Sequence, residues 1–160
     1  MAPKIAINVE YSDLTVSAVL CDAPDRAIMG GGLKTMSDEV LINQINNAIG
    51  AHGSWKIKLR TAIRNGKSEL SIDDIRCDSN CAFGKWIHGT DIDAPTRNGA
   101  PYKVIKRLHA EFHVCAANVM QMATSGKTEA ATNLLEGEFS AKSVKLVRGL
   151  NKWKGEISVL

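Results

Sequence analysis

Apolar side chains recur along most of this chain at steps of three and four. Between residues 41 and 62 the stripe reads Leu41, Ile45, Ala48, His52, Trp55, Leu59 and Ala62, the spacing of side chains that share one face of a helix. The pattern predicts a helix opening at Thr35 or Ser37. Asp38 and Glu39 fall in its first turn, where free backbone N–H groups favour carboxylates, and Asn65 and Gly66 close it. His52 therefore points inward. Gly50 and Gly53 flank it, each about 1 kcal/mol less favourable than Ala inside a helix, a cost that close packing or metal approach would offset.

Ser71 and Asp74 fit a capping start for a short segment that carries Cys81, Gly84 and Trp86. Trp86 offers a large apolar face for the core, and His88 is expected to face solvent at the segment's end. A loop through Asp91, Asp93, Pro95 and Gly99 leads to Pro101, suited to a first helical turn. The third helix runs to about Ser125 with Tyr102, Ile105, Leu108, Phe112, Ala116, Val119 and Ala123 on one face, and Gly126 stops it. The fourth begins near Thr128 and buries Leu135, Phe139, Leu146, Leu150, Trp153 and Ile157.

The first residues read differently. Ile5, Ile7, Val9 and Tyr11 alternate as in a strand, Ser12 could instead cap a short helix, and Gly30, Gly31 and Gly32 form a linker. The fold expected is all-α: an antiparallel four-helix bundle with a short extra helix over residues 37–160, preceded by a β-like or disordered appendage over residues 1–36.

A chain of 160 residues is long enough for one such domain, and its 44% hydrophobic and 23% charged content is ordinary for a globular protein. The net charge of +3 is spread along the chain, leaving no basic block for nucleic acid or an anionic membrane. No apolar run reaches the roughly 18 residues a membrane span requires. The four cysteines accompany no secretory signal, so a reducing, cytoplasmic setting without a disulfide framework is expected.

Candidate chemistry lies in the histidines and cysteines. His109 and His113 are one turn apart on a helical face, since a helix turns about every 3.6 residues, and His52 lies on another inward stripe. With Cys81 they make a donor set of three imidazoles and one thiolate, a complete tetrahedral shell for zinc. Each residue alone is more often a hydrogen-bonded core histidine or a small buried thiol; it is the combination that suggests a metal. Cys77 and Cys115 each lie close in sequence to a proposed ligand, Cys81 and His113 respectively, and could substitute as donors. If the Cys81 segment is helical, Asp78 can approach the metal shell and orient a ligand; otherwise it is a solvated carboxylate. Glu111 falls on the wrong side of its helix for a zinc-protease base. The inner stripes offer no carboxylates for a di-iron site, and a filled shell leaves no water to activate, so an enzyme is not expected.

The segments His52–Trp55 as HxxW, Cys81–Trp86 as CxxGxW and Pro101–His113 as PYxxxxxxHxxxH together resemble the chemoreceptor zinc-binding domain family. The resemblance runs from about Val40 to the C-terminus and includes the GEFSAKS segment, Gly137–Ser143. It implies one Zn2+ per chain on His52, Cys81, His109 and His113, and it selects Cys81 over the other cysteines. It also implies bacterial signalling in which such domains regulate chemoreceptors or diguanylate cyclases, a homodimer, and a response to zinc or to oxidation of zinc-bound Cys81; for this chain the expectation is action in trans on a partner of that class, or through self-association. A constitutively metallated structural bundle that acts as a scaffold is the other reading.

Overall fold

The computed structural model describes residues 38–157, and among them every regular element is helical. The expectations for residues 1–36, the strand-like alternation and the glycine linker, lie outside the described residues, as does the Thr35 or Ser37 helix start. The first long run is divided into α1 (Asp38–Gly53) and α2 (Trp55–Asn65). Then come α3 (Ile72–Arg76), a 3-10 turn at Asp78–Asn80, α4 (Ala82–His88) and α5 (Ala94–Asn98). The rest is α6 (Ala100–Thr124), α7 (Thr128–Leu134), a π-helical stretch at Leu135–Phe139, and α8 (Ser140–Ile157).

Helix α6 is the axis. It packs against α8, α3, α2 and α7, while α1 lies along α8. Phe112 and Phe139, both fully buried, meet with tilted rings 5.0 Å apart in the core. Ile45, Leu59, Ile105, Met120, Leu146 and Leu150 seal the core around them. A Cβ on Gly149 would stand 2.8 Å from Ile105 Cδ1, so the missing side chain lets α8 approach α6 closely.

Three elements depart from the sequence expectation. The first helix is interrupted at Ser54, whose hydroxyl donates to the Ala51 carbonyl at 2.8 Å and so competes for an acceptor beside a glycine-weakened turn. Its buried stripe nevertheless continues through Leu59 and Ala62, and Gly66 ends it at φ 65°. The expected loop before Pro101 contains α5, started by the Asp93 carboxylate accepting the Thr96 N–H at 2.8 Å. The last helix passes through a π-helical stretch, where the Ser140 hydroxyl donates to the Leu135 carbonyl at 2.9 Å. No helix among the described residues is long and apolar enough to cross a membrane.

Candidate metal centre

Three separate elements supply the donors. His52 closes α1, Cys81 caps the N-terminus of α4, and His109 and His113 project from the middle of α6. Each donor residue offers an atom lying within 4.8 Å of those of the other three. The imidazoles are sealed, at 2%, 0% and 1% exposure for His52, His109 and His113. Cys81 alone is half-buried.

Backbone carbonyls fix how two rings are presented. His52 Nδ1 lies 2.7 Å from the Ala48 carbonyl and His113 Nδ1 lies 2.7 Å from the Ile75 carbonyl. A carbonyl can only accept, so each Nδ1 carries the proton and each Nε2 presents a lone pair. Both Nε2 atoms are buried without a hydrogen-bond partner. In His109 the Nε2 faces Cys81 Sγ at 3.3 Å, while Nδ1 faces Asp78 Oδ2 at 3.4 Å. Three imidazole nitrogens thus converge on one thiol.

The surroundings keep these nitrogens neutral and available. Burial lowers the pKa of His52 and of His113 to about 4 and lowers that of His109 as well, because a low-dielectric core disfavours imidazolium. Phe83 stands edge-on to His109 at 5.0 Å and Phe112 to His52 at 5.1 Å. Burial also pushes the Cys81 thiol up, against the pull of the Gly84 N–H, which donates to Sγ at 3.1 Å. A nearby cation would reverse that preference and hold the thiolate. Leaving each buried nitrogen unpaired costs about 1–3 kcal/mol, whereas a zinc ion on such donors supplies about 10–16 kcal/mol. The donor set therefore fits Zn2+ in number, type and protonation.

Asp78 and His88 stand behind the donors. Asp78 is only 14% exposed and reaches two histidines through the same oxygen, His109 at 3.4 Å and His88 at 2.9 Å. Burial alone would raise its pKa, but contacts with the two rings hold it well below the usual carboxylate range. His88, expected to face solvent, is instead turned back onto Asp78. Sequence reading missed this pairing because nothing in helical periodicity reports on a turn that folds over its own helix.

Among the described residues, the other two cysteines stay out of the donor set. Cys115 is buried on α6, where burial pushes its thiol up to about 11. Cys77, at the N-cap of the Asp78–Asn80 turn, belongs to no donor cluster among the described residues. Trp86 is in the core as expected, beside Phe83 and Trp153. Tyr102 anchors α6 to α4 by donating its hydroxyl to the Ile87 carbonyl at 2.8 Å. A cleft of about 180 Å³, lined by Trp55, Leu70, Asp74, Ile75 and Asn80, reaches the donor cluster at Cys81 and His113.

Comparison with known proteins matches part of the chain to a family model. Residues 52–120 match the family described as the chemoreceptor zinc-binding domain, a span that starts at His52 and takes in Cys81, His109 and His113. The GEFSAKS segment lies beyond the matched residues. No curated protein and no solved structure matches the chain.

Proposed function

With residues 52–120 matching the chemoreceptor zinc-binding domain, we propose that the chain is a zinc-responsive signalling module that holds one Zn2+ on His52, Cys81, His109 and His113. The observation that carries this reading is the pair of orphaned Nε2 atoms on His52 and His113, each fixed by a backbone carbonyl and turned toward Cys81 and His109. When bound, the ion supplies two positive charges that hold Cys81 as thiolate and tie α1, α4 and α6 together. Those elements carry the response. His52 sits at the end of α1 and Cys81 at the start of α4, so loss of either donor frees a helix end from α6. The equilibrium between helix arrangements then shifts by their difference in zinc affinity.

The same residues support an oxidant-linked variant. Cys81 is the donor that solvent reaches, and a peroxide or hypochlorous acid that delivers oxygen to its sulfur converts the thiolate to a sulfenic acid and removes a ligand. We read the chain as a cytoplasmic, non-catalytic homodimer that signals to a chemoreceptor or cyclase partner. The four donors fill a tetrahedral shell and leave no place for a reacting water. The alternative is a scaffold in which zinc is permanent.

The test is metal analysis of the purified protein beside Cys81→Ala and His113→Ala, followed by competition with chelators of graded strength. One zinc per chain, lost in both variants and exchangeable in the wild type, is the expected result. Zinc that resists the strongest chelators would leave the scaffold reading. A wild-type protein that neither contains nor binds zinc would end both.

A further inference from the structure

The donor cluster accounts for His52, His109 and His113, but it leaves His88 unexplained. This histidine ends α4, the helix that Cys81 begins. Its Nε2 lies 2.9 Å from Asp78 Oδ2, and that same oxygen lies 3.4 Å from His109 Nδ1. Taking the assignment of His109 as a zinc ligand from the reading above, we propose that His88 is a positioning residue of the metal centre, acting through Asp78 on His109.

The argument begins with what His109 needs. To present a lone pair at Nε2 it must keep its proton on Nδ1, and a carboxylate facing Nδ1 selects that tautomer and makes the ring a stronger donor. The contact at 3.4 Å is long, and Nδ1 has no closer partner. Asp78 sits at the start of a three-residue turn at the margin of the core, where its carboxylate could rotate toward water. A second N–H on the same oxygen, from His88, holds it in place. His88 is itself well fixed: the carbonyl before it, on Ile87, accepts from the Tyr102 hydroxyl, and the carbonyl after it, on Gly89, accepts from Arg97. Arg97 also donates to the Ile92 carbonyl at 2.8 Å, which ties the following loop to this end of α4.

A double-mutant cycle on zinc affinity tests this. Competitive chelator titrations would compare the wild type, His88→Ala, Asp78→Asn and the pair, with His88→Gln as a variant that keeps an N–H donor. Outer partners of metal-ligating histidines typically tune affinity by about 10–100-fold; one contact further out, His88→Ala is expected to weaken binding about 3–10-fold. His88→Gln should restore most of the loss, and His88→Ala should add nothing once Asp78→Asn is present. The visible spectrum of the Co2+-loaded protein should shift in His88→Ala and return toward wild type in His88→Gln. Wild-type affinity in His88→Ala, or the same loss with and without Asp78→Asn, overturns the proposal while zinc binding itself stands. A wild-type protein that binds no zinc removes the proposal together with the ligand assignment.

Discussion

A methyl group on Gly84 would overlap the backbone carbonyl of Asp78. The turn that carries Asp78 is folded down onto α4, and the only side chain that permits the approach is a hydrogen atom. This gives the glycine of CxxGxW a steric role, and the same residue also donates its N–H to Cys81 Sγ. One small residue therefore holds a donor and the carboxylate behind another donor in register.

Gly84→Ala should accordingly be costly. Overpacking of this kind typically costs about 1–3 kcal/mol, and here the displacement falls on the metal centre, so zinc affinity should drop with stability. Gly50→Ala is the control: an added Cβ meets nothing within 4 Å, and helix propensity favours Ala by about 1 kcal/mol. Urea melts and zinc titrations of the two variants would separate them, and equal behaviour would refute the steric account.

Acid should destabilise the metal-free protein through its buried histidines. Burial holds His52 and His113 at about 4 against an ordinary value of 6.5. Between those limits the unfolded chain binds protons that the folded chain does not, so stability rises with pH there. It is fully present above about pH 6.5 and is lost as pH falls toward about 4, by roughly 3 kcal/mol for each ring. Asp78, whose folded pKa is depressed, loses its contribution at still lower pH. Denaturation midpoints of the metal-free protein that stay flat between pH 7 and pH 4.5 would show that these rings are not buried as described.

Cys81 and Cys115, the free cysteines among the described residues, should behave oppositely. Cys115 is 3% exposed with its thiol pushed up to about 11, so Cys115→Ala should keep one zinc per chain and lose about 1 kcal/mol of packing. Cys81→Ser should keep the fold but lose tight zinc binding. Mass spectrometry after alkylation of the folded, zinc-stripped protein should find the label on Cys81 and none on Cys115. Label on Cys115 without unfolding would contradict its burial.

The residues that could be read ahead are those whose position follows from helical periodicity. His52, His109 and His113 fall on inward stripes, and all three are buried. The hidden features depend on turns instead. The interruption at Ser54 arises from a hydroxyl that competes for one carbonyl, and the His88–Asp78 contact arises because the Asp78–Asn80 turn doubles back over α4. Helix α5 did leave a trace, an Asp at the cap position with Pro following in the first turn at Pro95, which the loop-like composition of the segment obscured. The chain before Asp38 is a separate case, since its alternation lies outside the described residues.

The last prediction concerns how an ion reaches this cluster. The imidazoles are sealed, Cys81 is the donor in contact with solvent, and the cleft beside it is bordered by Trp55 and the half-exposed Leu70. Leu70 lies outside the donor set, so enlarging it would obstruct the cleft without altering the coordinating atoms. Leu70→Trp should slow both uptake of zinc and its transfer to a chelator several-fold. Because the same obstruction acts in both directions, the equilibrium constant should remain close to that of the wild type. Stopped-flow exchange with a chromophoric chelator would measure the rates, and equilibrium competition would measure the constant. Slower exchange at constant affinity identifies the cleft as the path. Unchanged rates would instead mean that the ion leaves when α1 parts from α6, so that exchange is tied to helix separation, the same motion invoked for the signal.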